Sequence, residues 1–309
     1  MATRLASLSV DLDEIPSYFA IHGLGEVPAA SRHLVYDVAL ARLDELARAL
    51  SVPLTCFAIG ADLSRDVAAN GLRALAVRGA EIANHTLDHR YDLTRLGRDE
   101  ITRQIAGGAR EIAAAVGEAP VGFRAPGYTI TDEVFDVLTE LGVAYDASVF
   151  PCPAYWAAKT TAIGLIRGRG RVSRSVVDTP RVLAAPTRPY RVGKPYWKRG
   201  GGMLEIPVQV TRGPRLPFIG TSVTLAGPAR ARWLARACVG EPLVNLELHG
   251  IDLLDRADGL DALAPYQHDV RVPLGQKQDA IEAVIRTLKK AGYTFVTMRE
   301  AAERFAGAA

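Results

Sequence analysis

The stretch LASLSVDLDE, Leu5 to Glu14, alternates apolar and polar residues with the period of two that a β-strand requires. Leu8, Val10 and Leu12 fall on one face and Ser9, Asp11 and Asp13 on the other, so the polar face of the strand finishes in two carboxylates pointing the same way. Outward from this stretch, strand and helix signals take turns. Tyr36, Leu40, Leu43, Ala47 and Leu50 recur at helical spacing, and TCFAIG (55–60) reads as a buried strand. A helix near Gly71–Val77 leads into the strand EIAN (81–84), and Ile101, Ile105, Ile112 and Val116 mark a longer helix before VGFR (121–124). Thr131 followed by Asp132 and Glu133 predicts a helix start, Gly142 its stop, and VAYD (143–146) the next strand. After an irregular middle come the strands LEIPV (204–208) and LVNLELH (243–249), a helix over about 276–292, the strand YTFVTM (293–298) and a last short helix. Roughly eight strands alternating with helices predict an α/β fold, a closed or nearly closed (β/α) barrel forming one domain over residues 1–309.

With 309 residues, 49% hydrophobic and 23% charged, the chain has the material for a large core, and a net charge of +3 is too small to point to nucleic acid. Its three cysteines, Cys56, Cys152 and Cys238, form no C-x-x-C pair, which speaks against a disulfide framework and a thiolate zinc site. The first residues do not have the pattern of a secretory signal, and no run of about 18 apolar residues occurs. The expected location is therefore cytoplasmic. Pro151 to Gly202 stands apart as an insertion rich in Pro, Gly and Arg, with eleven basic residues against one acid, Asp178, between 151 and 200. Its stretch AYWAAKTTAIGLIRGRGR mixes aromatics, apolar residues and arginines as an interfacial helix does. Two readings stay open for it: a solvated loop at the barrel rim, or a contact for an anionic lipid or a phosphate group at the inner face of a membrane.

In (β/α) barrels the chemistry sits where strands end. Asp11 and Asp13 end the first strand, His85 and His89 follow EIAN, Arg124 ends VGFR, Asp146 ends VAYD and His249 ends LVNLELH. One carboxylate with two imidazoles is a ligand set for a divalent transition metal that leaves a position for water. The second aspartate then lies close enough to take a proton from that water, Arg124 would keep it ionised, and a histidine on the opposite rim could protonate a leaving group. That set suits hydrolysis of an amide or ester.

In this order, SVDLDE, NHTLDH, FRAPGY, YDASVF and LELHG resemble the five motifs of the polysaccharide deacetylase superfamily, carbohydrate esterase family 4. The resemblance implies an irregular barrel with seven strands, Asp11 as general base, Asp13, His85 and His89 as ligands of one divalent metal, Arg124 as partner of the base, and His249 as general acid. Zinc is the first expectation for the metal, with nickel, cobalt or iron as alternatives. Three departures stand out. The first motif is D-x-D, as in the subgroup with intracellular-type peptidoglycan deacetylases and lipid-linked aminoarabinose deformylases. Gly127 fills the place of an aromatic whose N–H forms the oxyanion hole, with Tyr128 next to it as a pocket residue. The fourth motif lacks its D-W half, which leaves Asp146, or Glu205 in its place, as the residue that orients His249.

The implied function is a metal-dependent hydrolase that removes an acetyl or formyl group from an amino-sugar substrate, lipid- or phosphate-linked if the insertion binds anions. The alternatives are hydrolysis of a cyclic imide or ureide, and a non-catalytic barrel that binds carbohydrate or membrane. The apolar run Leu216–Ile219 and Trp233 leave a substrate groove, a membrane face and a homo-oligomer interface open.

Overall fold

The structure, a computed structural model, describes residues 4–307. Its first half runs β1 (Arg4–Asp11), α1 (Ile15–Ile21), α2 (Leu40–Ala49), β2 (Leu54–Ala58), α3 (Asp66–Val77), β3 (Glu81–Asn84), α4 (Arg98–Val116), β4 (Gly122–Phe123), α5 (Asp132–Glu140) and β5 (Tyr145–Asp146). Its second half runs α6 (Pro153–Gly168), β6 (Tyr190–Val192), β7 (Arg199–Glu205), α7 (Gly220–Cys238), β8 (Leu243–His249), α8 (Leu274–Lys290), β9 (Tyr293–Phe295) and α9 (Met298–Ala306). The strands make one curled sheet in the order β6-β7-β5-β4-β3-β2-β1-β8, so the fold is an irregular (β/α) barrel. Among the described residues it has nine strands where seven were expected. β9 pairs with residues 4–6 of β1, below the segment that holds β2, and β6 adds an antiparallel strand to β7.

Crossovers through helices explain why the rest of the sheet is parallel and why it is covered. On β1, Leu8 and Val10 turn outward into a core shared with Leu40 and Leu43 of α2, Leu72 of α3, and Ile281, Val284 and Ile285 of α8. Ser7, Ser9 and Asp11 turn inward. The barrel interior is therefore polar along this strand, and Ser7 and Ser9 both donate to Asn245 Oδ1 on β8, at 2.9 and 3.0 Å. The rim between β5 and β8 is closed by single contacts rather than by a strand. Ile206 N and Val208 N donate to Asp146 O and Val149 O, Phe218 N donates to Gln209 O, and Ile219 bridges to Glu247.

The insertion differs from its expected form at its C-terminal end. Residues 190–192 and 199–205 are strands, because the glycines of Arg199–Glu205 pack edge-on against Val192 and the hairpin they close extends the sheet. α7 lies where no helix was expected, and Gly227 and Pro228 interrupt it, with Gly227 at φ 71°. Phe218 and Ile219 belong to the interior, whereas Trp233 is exposed. All three cysteines are buried and unpaired. Among the described residues no helix is long and apolar enough to cross a membrane.

Candidate active site

The parallel registers bring the strand ends together one step at a time. Asp11 stands opposite Phe57 on one side and His249 on the other. Ala58 pairs with Asn84, which precedes His85; Asn84 pairs with Phe123, which precedes Arg124; Phe123 pairs with Asp146. Residues up to 238 positions apart in sequence thus share one rim.

Asp13 Oδ1 lies 3.3 Å from His85 Nε2 and 3.1 Å from His89 Nε2, and all three residues are buried. His85 Nδ1 donates to the Arg124 carbonyl at 2.7 Å, which directs the Nε2 lone pair at Asp13. His89 Nδ1 stands 3.2 Å from Ser17 Oγ. Asp13 Oδ1 and His89 Nε2 have no hydrogen-bond partner although both are enclosed. Such orphaned atoms are costly unless something of opposite character meets them. Burial alone would raise the Asp13 carboxyl, yet the facing imidazoles outweigh it and hold it well below the usual carboxylate range. Burial likewise opposes a charge on His85, and Asp11 and Asp13 override it and raise its pKa. The three side chains fit a divalent cation: a carboxylate oxygen and two imidazole nitrogens, close together, positioned from behind and otherwise unpartnered.

Asp11, one strand repeat before Asp13, faces Arg124 instead. The Arg124 guanidinium is fully buried and donates to Asp11 Oδ1 at 2.5 Å, to Ser9 Oγ at 3.1 Å and to the Ala147 carbonyl at 3.0 Å, while its face covers the Phe57 ring at 4.0 Å. Asp11 Oδ2 remains 3.9 Å from His85 Nε2, beside the candidate cation position. His249 is opposite, with its Nε2 at 3.3 Å from the Tyr128 hydroxyl. Tyr18, Tyr91, Tyr128 and Tyr155 roof this space, with Tyr18 and Tyr128 edge-on to His249 and Tyr91 edge-on to His89.

The carboxylate against His249 is neither Asp146 nor Glu205. It is Glu247, whose Oε1 lies 3.1 Å from His249 Nδ1. Asp146 accepts from Ser148 N and Ser148 Oγ at 3.0 and 2.6 Å, Ser148 Oγ in turn accepts from Ala125 N at 2.8 Å, and Glu205 accepts from Val149 N at 3.0 Å. That pair props the Arg124–Tyr128 loop. Glu247 was legible in principle: in Glu-Leu-His the outer two residues share the inner face of one strand. Tyr128 was expected as a pocket residue, whereas Ser17, Tyr18, Tyr91 and Tyr155 carried no comparable signal, since they come from α1, the loop after β3 and α6, which no local pattern brings together. Gly127 and Tyr128 follow Arg124 in a left-handed turn, with φ 66° and 57°.

The sequence pattern of the family described as polysaccharide deacetylase matches residues 36–145, which include His85, His89 and Arg124 but not Asp11, Asp13 or His249. A chitooligosaccharide deacetylase of Sinorhizobium fredii (strain NBRC 101917 / NGR234) is 38% identical over 94 residues, which cover 30% of this chain and 42% of that relative. Over this stretch the chain is similar to the polysaccharide deacetylase family, and it spans less than half the length of that curated relative. A provisional polysaccharide deacetylase from Mycobacterium smegmatis superposes with a TM-score of 0.60 at 17% identity, over 98% of this chain and 91% of its own. The carbohydrate esterase 4 domain of a multidomain xylanase, from the hindgut metagenome of Trinervitermes trinervoides, gives a TM-score of 0.51 at 14% identity over 98% and 92%. A pseudoenzyme of the same esterase family from Bacillus anthracis gives 0.52 at 13% identity over 97% and 66%. These likenesses show the fold alone, and one of the proteins that share it is a pseudoenzyme, so activity has to be argued from the site.

Proposed function

We propose that this chain is a metal-dependent amide hydrolase that removes an acetyl or formyl group from the nitrogen of an amino sugar. The observation that carries the reading is the convergence of Asp13 Oδ1, His85 Nε2 and His89 Nε2 in an enclosed space flanked by Asp11 on one side and His249 on the other. Asp13, His85 and His89 would hold the cation; when bound there, a divalent metal acidifies water and polarises the acyl carbonyl. Asp11, held in place by the Arg124 guanidinium, takes the proton of the attacking water. His249, held by Glu247 and facing the site through Nε2, gives a proton to the departing nitrogen as the C–N bond breaks. Water thus supplies the hydroxyl of the released acid and the proton of the freed amine. The backbone of Gly127 and the Tyr128 side chain border the position of the developing oxyanion.

The chemistry of the sugar has a second support. A cavity of about 610 Å³ opens beside His89 and is lined by Ser17, Tyr91, Arg95, Arg174 and Ser175 among others. Arg90 is engaged with Asp92, and Asp88 with Arg103, while Arg95 and Arg174 make no ion pair among the described residues. Arg174 comes from the basic insertion. An amino sugar carrying a phosphate, free or lipid-linked, would neutralise these two cations.

The test combines metal analysis with hydrolysis of a panel of N-acetylated and N-formylated amino sugars, with and without phosphate, and of cyclic imides and ureides. Asp11→Asn is expected to keep about one metal per chain and to lose turnover by roughly a hundredfold or more; His85→Ala is expected to lose the metal. A fully active Asp11→Asn protein sinks the role assignment, and turnover of the cyclic amides alone moves the substrate class. No metal and no hydrolysis in the unaltered protein would favour a binding barrel.

A further inference from the structure

Helix α6 has sixteen residues and none of them is fully buried. It is held to the barrel from one side only. The Tyr155 ring packs on Tyr128 and Phe150 with centroids 5.8 and 4.6 Å apart, Trp156 Nε1 donates to the Asp178 carbonyl at 2.9 Å, and Lys159 Nζ donates to the Gly127 carbonyl at 2.7 Å. Two of these three contacts fall on the turn that follows Arg124. That turn is strained: Gly127 and Tyr128 are consecutive left-handed residues, and tyrosine has no ease there. Within the turn, only Tyr128 N to Ala125 O, at 3.1 Å, and a long Thr129 Oγ1 to Pro126 O contact, at 3.4 Å, restrain it. A Cβ on Gly127 would stand 3.3 Å from Lys159 Nζ and 3.0 Å from Tyr91, so the glycine leaves the room that the amine occupies.

We propose that Lys159 is a positioning residue of the hydrolytic site: its ammonium, carried in on α6, pins the Gly127 carbonyl and thereby fixes the turn that aims the Tyr128 hydroxyl at His249. The inference rests on the amide-hydrolase reading for its catalytic consequence, and on geometry for the contact itself. A charge-assisted hydrogen bond to a carbonyl is stronger than a neutral one and is strengthened further away from water. Burial lowers the Lys159 pKa to about 8, with Asp178 opposing it, and the amine stands 5.7 Å from the centre of the Tyr155 ring. Lys159 would thus let the insertion act on turnover without touching the substrate.

The experiment measures kcat and KM for the unaltered protein, Lys159→Met, Lys159→Arg, Tyr128→Phe and the Lys159→Met/Tyr128→Phe double variant, on a substrate that the panel identifies. Metal content and thermal melting are followed alongside, together with the imidazole NMR signals of His249 in each protein. Lys159→Met is expected to lower kcat roughly ten- to a hundredfold with KM within about threefold and the metal retained. Lys159→Arg should recover most of the loss. In the Tyr128→Phe background the Lys159 substitution should cost little more, because both act on one hydroxyl. The His249 signals should move in the same direction in Lys159→Met and Tyr128→Phe.

An unchanged kcat in Lys159→Met overturns the inference, as do multiplicative losses in the double variant or a rise in KM alone. The NMR comparison needs no turnover. Matching His249 shifts in a protein that hydrolyses nothing would retain the positioning contact and reject the hydrolase reading, and unmoved His249 signals would reject the contact.

Discussion

His249 is the residue on which the environment acts most visibly. Burial alone would lower its pKa, but Glu247, followed by Asp13, Asp11 and Asp252, reverses this and raises it to about 9. A histidine that must deliver a proton is active while protonated, so turnover should fall as pH rises through that value. A cation held by Asp13 offsets part of the acidic field, and the alkaline limb of kcat in the metal-loaded protein should accordingly lie below about 9. Glu247→Gln removes the foremost of the raising charges. Its alkaline limb is expected to shift down by about one pH unit or more, with the metal retained, and a pH–rate profile of the two proteins checks it. An unshifted limb would assign the proton to another group. Asp252, which accepts from the His249 backbone N–H at 2.9 Å, fixes the strand end in both proteins and should leave the comparison undisturbed.

The ligand loop after β3 depends on how α4 seats against it. Gly108 of α4 has no space for a side chain: a Cβ would stand 2.4 Å from Asn84 Oδ1 and 2.7 Å from the Thr86 carbonyl carbon. Asn84 ties the two elements, donating to the Ile105 carbonyl at 2.8 Å and accepting from Thr86 N at 2.9 Å. Gly108→Ala should therefore push α4 off the loop that carries His85 and His89, with a loss of about 1–3 kcal/mol in stability and weaker metal binding. Chemical denaturation and metal titration check this, and Gly117, where a Cβ meets nothing but φ is 84°, offers a contrast in which only backbone strain acts. The elements legible in sequence were those with clean periodicity. β1, β3, α4 and α5 stand where the pattern predicts, and Thr131 caps α5 by accepting from Val134 N at 3.4 Å. α7 escaped because Gly227 and Pro228 break its periodicity locally, while tertiary packing on α8 holds both halves together. β6 escaped because three residues, Tyr190 to Val192, are too few for a period to show, and the start of β7 because a run of Arg and Gly has no alternation to read.

At the scale of the molecule, the barrel encloses more carboxylates than it pairs with cations. Glu205 and Asp146 face each other from β7 and β5, and burial, foremost, raises both from their ordinary values, Glu205 well above it. A raised pKa in the folded state means that the stability they contribute is full below the unfolded carboxylate value and is lost as pH rises through the folded one. Glu205→Gln removes one of these charges and keeps an acceptor for Val149 N. Its melting temperature should match the unaltered protein near pH 5 and exceed it near pH 8, which thermal unfolding at the two values decides. The sequence by itself determined the alternation of strands and helices, the polar inner face of β1, and the identity of six residues that meet on the rim: Asp11, Asp13, His85, His89, Arg124 and His249. Each of these is readable because a strand's period and its end fix where a side chain goes, whatever the rest of the chain does. Only the tertiary structure decided which carboxylate serves His249, that Asp146 and Glu205 serve each other and the neighbouring loop, and that a helix of the insertion reaches Gly127. Those choices depend on register between strands far apart in sequence and on the packing of loops, and neither is encoded in any local pattern.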